Sequence, residues 1–169
     1  YRPAREYLDP LTGEFLGYEL FKVADTRVMS VNDDIITMDL VRSNEEVRAA
    51  YRVLPTEETR IQSVFHPKPA PDDVDGLIIG LLKGVSSAGQ FDAVVLNVGQ
   101  REAVEPGHVF SVYRTGEVVR DPVAGGQIQL PSEHAAILMV FKSFDKVSYG
   151  LIMRATNVVS IGDEIRNPD

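Results

Sequence analysis

The sequence predicts an all-β protein of small barrel-like units, arranged as a tandem repeat whose first copy is truncated at its N-terminus. Three observations predict it. β-Branched and aromatic residues come in short runs divided by Gly, Pro, Asn and Asp, which suits pleated strands joined by tight turns. Helix signals are thin, confined to one turn each at 44–46 and 131–133. A set of residues also recurs at a constant spacing of 112, and fixed-period self-similarity marks a repeated structural unit.

The repeat opens on Tyr1-Arg2, Asp9-Pro10 and Gly13, matched by Tyr113-Arg114, Asp121-Pro122 and Gly125. The register continues without a gap through Ala24 and Ala136, Val28 and Val140, Asp33 and Asp145, Arg42 and Arg154, and Val47 and Val159. It divides the chain into a partial first repeat at 1–55, a Pro-rich linker at 56–73 and a complete second repeat at 74–169.

In order, each copy starts with an Asp-Pro-x-x-Gly turn, where Asp bonds its own backbone and Pro presets φ. A long strand, a turn at 32–34 or 144–146, and a partner strand at 35–42 or 147–154 follow. A short strand near 51–54 or 164–166 closes the unit. Residues 135–141 are apolar without a break and predict a central strand covered on both faces. Their counterparts at 23–31 carry Asp25 and Arg27, so that strand is expected to be more exposed. Between the copies, residues 60–65 could add a strand, and 66–71 alternate proline as a semi-rigid spacer.

The second unit begins with a strand at 74–82 and a flexible turn at 84–89. A strand at 93–98 follows, then a corner from Gly99 to Pro106 and Gly107, and a return strand at 109–114. The first unit lacks counterparts of 74–112, and Tyr1 reads as the end of a strand. An upstream part is therefore expected, and the incomplete copy would leave an open sheet edge for the second unit or another chain, including a homodimer partner, to cover.

Composition narrows the function. The chain of 169 residues carries a net charge of -8 and 44% apolar residues. That allows a substantial core, and without a basic face it offers nothing for nucleic acid. Cysteine is absent, which excludes disulfides, thiolate nucleophiles and Cys-based zinc sites. No apolar run approaches the roughly 18 residues of a spanning helix.

Candidate chemistry is sparse. His66, His108 and His134 lack the spacing of a helical metal pair. Asp72, Asp73 and Asp75 lack the Gly turn and later Glu of a calcium loop. Ser86-Ser87 has neither a nucleophile elbow nor a partner base. No catalytic, cofactor-binding or metal residue is assigned on this basis. The repeated Tyr-Arg pairs could serve sugars or carboxylates, but strand alternation puts Tyr and Arg on opposite faces. A structural role is the better expectation, with Tyr in the core and Arg bridging to Asp9 or Asp121.

The segments 89–122 and 137–155, with the closing Asp-Glu-Ile-Arg-Asn-Pro, resemble the C-terminal region of bacterial LysM-containing envelope proteins. Leu54-Pro55-Thr56-Glu57-Glu58 and Asp73-Val74-Asp75-Gly76 extend the likeness over nearly the whole chain. The 91–126 module is also similar, over a short stretch, to the C-terminal barrel of the flagellar T-ring protein. The LysM resemblance implies a periplasmic location and association with peptidoglycan through an upstream LysM module. The LysM motif itself has no counterpart in this sequence. The expected role is therefore non-catalytic scaffolding or protein–protein contact, with direct glycan binding by this β region as the alternative.

Overall fold

The computed structural model describes residues 1–56, 65–82, 86–116, 118–121, 123 and 125–168. The strand expected at 60–65 falls almost entirely outside the described residues, as do Pro122 and part of the turn at 84–89. Among the described residues there are thirteen strands and no α-helix. The turns expected to be helical are not: 44–45 are bends, and Glu133 opens a strand. At Glu133 the pairing with Arg114 outweighs a weak local helix signal.

The chain forms two compact units, Tyr1–Tyr7 with Tyr18–Ile61, and Leu8–Gly17 with Gln62–Asp169. The second is built on a closed barrel of six antiparallel strands. These are β6 (Gly76–Leu81), β7 (Ala93–Leu96), β8 (His108–Arg114), β11 (Glu133–Ser143), β12 (Ser148–Ala155) and β13 (Glu164–Arg166). Around the barrel the order is β11, β12, β7, β6, β13, β8 and back to β11. β9 (Val118–Arg120) and β10 (Gln127–Gln129) form a separate hairpin.

The expected linker is partly sheet. β5 (Lys68–Pro69) lies parallel to the start of β8, and Ala70 joins the barrel core. Proline is admitted there because β5 is an edge strand, where a missing donor costs little. At Lys68–Pro69 this corrects the spacer expected at 66–71.

Alternation fills the barrel. Val94 and Leu96, Phe110 and Val112, and Ala136, Leu138 and Val140 are all fully buried in one core cluster with Ile78, Ile152 and Ile165. The residues between them on β11 are only half-buried, so 135–141 is central in the sheet but sealed on one face. Gly150 makes room on β12, since a Cβ there would meet Leu138 Cδ1 at 2.9 Å.

The corner between β7 and β8 is a 3₁₀ turn, Gln100–Glu102. Gly99 donates its N–H to the Glu102 carboxylate at 2.8 Å, and Ala103 ends the turn in the left-handed region at φ 58. Gly107 follows at φ 97, where glycine is free of Cβ strain.

The first unit holds most of a hairpin of β1 (Arg2–Leu8) and β2 (Phe15–Phe21), and a second of β3 (Ala24–Asn32) and β4 (Ile35–Ser43). No strand forms at 51–54. Instead Arg52 and Tyr1 exchange two backbone hydrogen bonds of 2.9 and 2.7 Å. Most side chains of β3 and β4 are exposed, as Asp25 and Arg27 foretell.

Candidate functional site: a hairpin tip held on the barrel

The tip between β1 and β2 belongs to the second compact unit rather than to residues 1–55 as expected. Asp9 explains why. Its Oδ1 accepts hydrogen bonds from Leu11 N and Thr12 N, both at 2.9 Å, and so builds the turn. Its Oδ2 accepts one from Asn97 Nδ2 at 2.9 Å, while Asn97 Oδ1 accepts Leu77 N at 2.6 Å. One carboxylate thus shapes the tip and ties it to the ends of β6 and β7. Gly13, at φ 73, lets the chain close the turn.

Charges surround this bond. Arg101 Nη1 lies 2.9 Å from Glu14 Oε1, and Lys146 Nζ lies 2.7 Å from the same oxygen. Lys146 also donates to Phe15 O at 3.1 Å. Burial works against ionisation of Asp9, but the bonds from Thr12, Asn97 and Leu11 outweigh it and hold its pKa below the ordinary value. Lys146 and Arg101 do the same for Glu14.

The second tip has the same turn. Val123 N donates to Asp121 Oδ1 at 2.7 Å, Gly125 N to Asp121 O at 3.1 Å, and Asp121 N to Gly126 O at 2.8 Å. Gly125 has φ 76, close to Gly13.

Arg2 and the two tyrosines sit differently from expectation. Arg2 pairs with Glu45 at 3.4 Å and lies over the Phe21 ring, instead of bridging to Asp9. The Asp9 carboxylate is engaged by its own turn and by Asn97. Burial raises the Asp163 pKa, against which the Ser160 N–H and then the Arg114 charge work in the other direction. Tyr1 and Tyr113 are half-buried, not core residues. Tyr113 is flanked by Arg166, 5.0 Å from its ring centre, and by the edge of His134 at 5.6 Å. Arg42 and Arg154 are exposed on β4 and β12. Gly99 and Gly107 shape the barrel corner, and His108 N donates to Glu105 O across Pro106.

Asn97, Glu14, Arg101 and Lys146 were not foreseen. They come from three distant stretches of chain, and no local pattern joins them. Among the described residues no group of His, Asp and Glu could hold a metal ion. No family model matches the chain, and no curated protein matches it. No helix among the described residues is long and apolar enough to cross a membrane.

Two expected results follow. Asn97→Ala leaves Leu77 N and the Asp9 carboxylate without their partner and lowers stability by about 1–3 kcal/mol, read from urea unfolding. The second concerns acid. His108 is pushed below the ordinary histidine pKa by burial and then by Lys68, and its Nδ1 accepts Glu105 N at 3.1 Å. It is neutral in the fold and gains a proton on unfolding. Stability is therefore full above the ordinary histidine value of about 6.5 and falls as pH drops through the lowered one. Asp9 and Glu14 add a second loss below about pH 4, as protonation weakens the tip. Asp163, raised by burial, acts in the opposite sense, its cost setting in as pH rises above the ordinary aspartate value. His108→Asn should flatten the upper part of the pH–stability curve and leave the lower part in place.

Proposed function

We propose that this chain is a non-catalytic β module of a LysM-type cell-envelope protein, acting in the periplasm as a scaffold through protein–protein contact. We also propose that it is built from two copies of one unit. The observation that carries the scaffold reading is how its best-organised polar cluster is used. Asp9, Asn97, Glu14, Arg101 and Lys146 bond to one another and to backbone, fixing a hairpin tip in place. The resemblance in residues 89–122 and 137–155 supports the envelope location, with peptidoglycan held by an upstream LysM module.

The duplication is supported by pairing. In the β3–β4 hairpin Ala24 faces Ser43, Thr26 faces Leu40 and Val28 faces Met38, with irregularities between Asp25 and Thr26 and between Val28 and Ser30. In β11–β12 Ala136 faces Ala155, Leu138 faces Ile152 and Val140 faces Gly150, with irregularities between Ile137 and Leu138 and between Val140 and Lys142. Every one of these positions is displaced by 112. Two bulges at equal offsets are a strong likeness, since bulges persist within families as designed features.

A pulldown on purified peptidoglycan tests the functional reading. The chain should stay in the supernatant when no LysM module is attached. Saturable retention would overturn scaffolding in favour of direct glycan binding.

A further inference from the structure

The face of the β3–β4 hairpin that corresponds to the barrel interior is uncovered. Val140, Ser148 and Ile152 are 0% exposed inside the barrel, whereas Val28, Ile36 and Leu40, each 112 residues earlier, are 55%, 53% and 55% exposed. The edges differ as well. β11 is bordered by β8, and β12 by β7. Among the described residues β3 and β4 pair only with each other.

Tyr1 shows what belongs there. Tyr113 is the last residue but one of β8 and pairs with Glu164 of β13 on one side and His134 of β11 on the other. Tyr1 pairs with Arg52, the position 112 before Glu164. The position 112 before His134 is Lys22, whose pKa is raised chiefly by Asp25 and to a smaller degree by Tyr1. Tyr1 thus holds the place of Tyr113 beside the counterpart of β13, and β1 continues from it at Arg2–Leu8.

We propose that the exposed hairpin face is an interaction surface for three further antiparallel strands of the β6, β7 and β8 kind. The strand of the β8 kind lies in line with Tyr1, so that the first unit closes into a barrel like the second. The inference rests on the duplication but not on the envelope location. A strand in line with Tyr1 lies along Ala24, Asp25, Thr26 and Arg27 as Val112, Ser111, Phe110 and Val109 lie along Ala136, Ile137, Leu138 and Met139. Apolar side chains on such a strand would lie against Thr26 as Phe110 lies against Leu138, converting half-exposed surface into core. A second copy of the chain cannot give its own β8, which is engaged by β11, β13 and β5.

The test compares the 169-residue chain with one carrying an added copy of its residues 74–112 directly before Tyr1. Backbone hydrogen exchange and the fluorescence of ANS, a dye that reports exposed apolar surface, are measured on both. In the extended chain, amides of β3 should gain protection on the order of tenfold or more, and dye binding should fall. In the 169-residue chain, Ile36→Lys should lower dye binding with little change in unfolding midpoint, and light scattering should give a monomer. β3 amides that exchange alike in both chains, with the β3–β4 pairing intact, overturn the closure and leave the duplication standing. Protection in a register other than that of β8 on β11, seen in cross-strand NOEs, overturns the duplication itself. A dimer of the 169-residue chain that Ile36→Lys dissociates overturns the proposal in favour of a second copy as the cover.

Discussion

Phe110→Ala should lower the stability of the barrel by about 3–5 kcal/mol, the usual cost of removing a large buried aromatic side chain. Phe110 is the largest of the fully buried side chains and belongs to the core cluster that includes Leu138, its register partner on β11. The ring cannot be replaced by inward movement, because a closed barrel fixes the distance between its walls. A loss of that size approaches the whole stability of an ordinary domain, so urea unfolding at low temperature is the suitable measurement. Val28→Ala provides the contrast. Its side chain is half exposed, and the change should stay within about 0.5 kcal/mol. Val140→Ala, at the matching position inside the barrel, should cost clearly more. Equal effects for the two valines would mean that the first hairpin is as well covered as the second.

Gly99→Ala should cost about 1–3 kcal/mol through overpacking. An added Cβ would lie 2.4 Å from Phe144 O, 2.6 Å from Asp145 O and 2.8 Å from Val147 N. All three are backbone atoms, so no side-chain rotation relieves the clash. The same approach carries two hydrogen bonds, Gln100 N to Phe144 O at 2.7 Å and Arg101 N to Asp145 O at 3.0 Å. Pushing the 3₁₀ turn off the β11–β12 turn therefore also moves Arg101 and Lys146 relative to Glu14. Amide shifts should spread from 99–104 and 144–147 into 9–16, and the change in unfolding midpoint should exceed that of Gly13→Ala.

The longer barrel strands and the β3–β4 hairpin were legible because they carry local signatures, whereas the hairpins β1–β2 and β9–β10 were not foreseen. Residues 135–141 are an unbroken apolar run and 93–98 are rich in valine, and Asp9-Pro10 with Gly13 spells its own turn in side-chain hydrogen bonds. Barrel closure was not legible. The pairing of Ile165 with Gly76 and with Val112 depends on residues far apart, and neither strand's composition names its partner. The parallel strand at Lys68–Pro69 was hidden by its prolines, which read as spacer until an edge position excuses their missing donors. Asp9 was recognised as a turn residue, but its second oxygen found Asn97 across the fold instead of Arg2. Short-range chemistry was visible; the tertiary partner was not.

The three-residue strand β13 is the seam between β6 and β8, and it lies at the far end of the chain from β6. No ring of strands can exist until Ile165 has been synthesised, so earlier intermediates are an open curl with two unsatisfied borders. Such long-range closure is slow compared with the formation of local hairpins. The growing polypeptide must pass through that vulnerable interval on every round of synthesis, and a handful of late residues ends it.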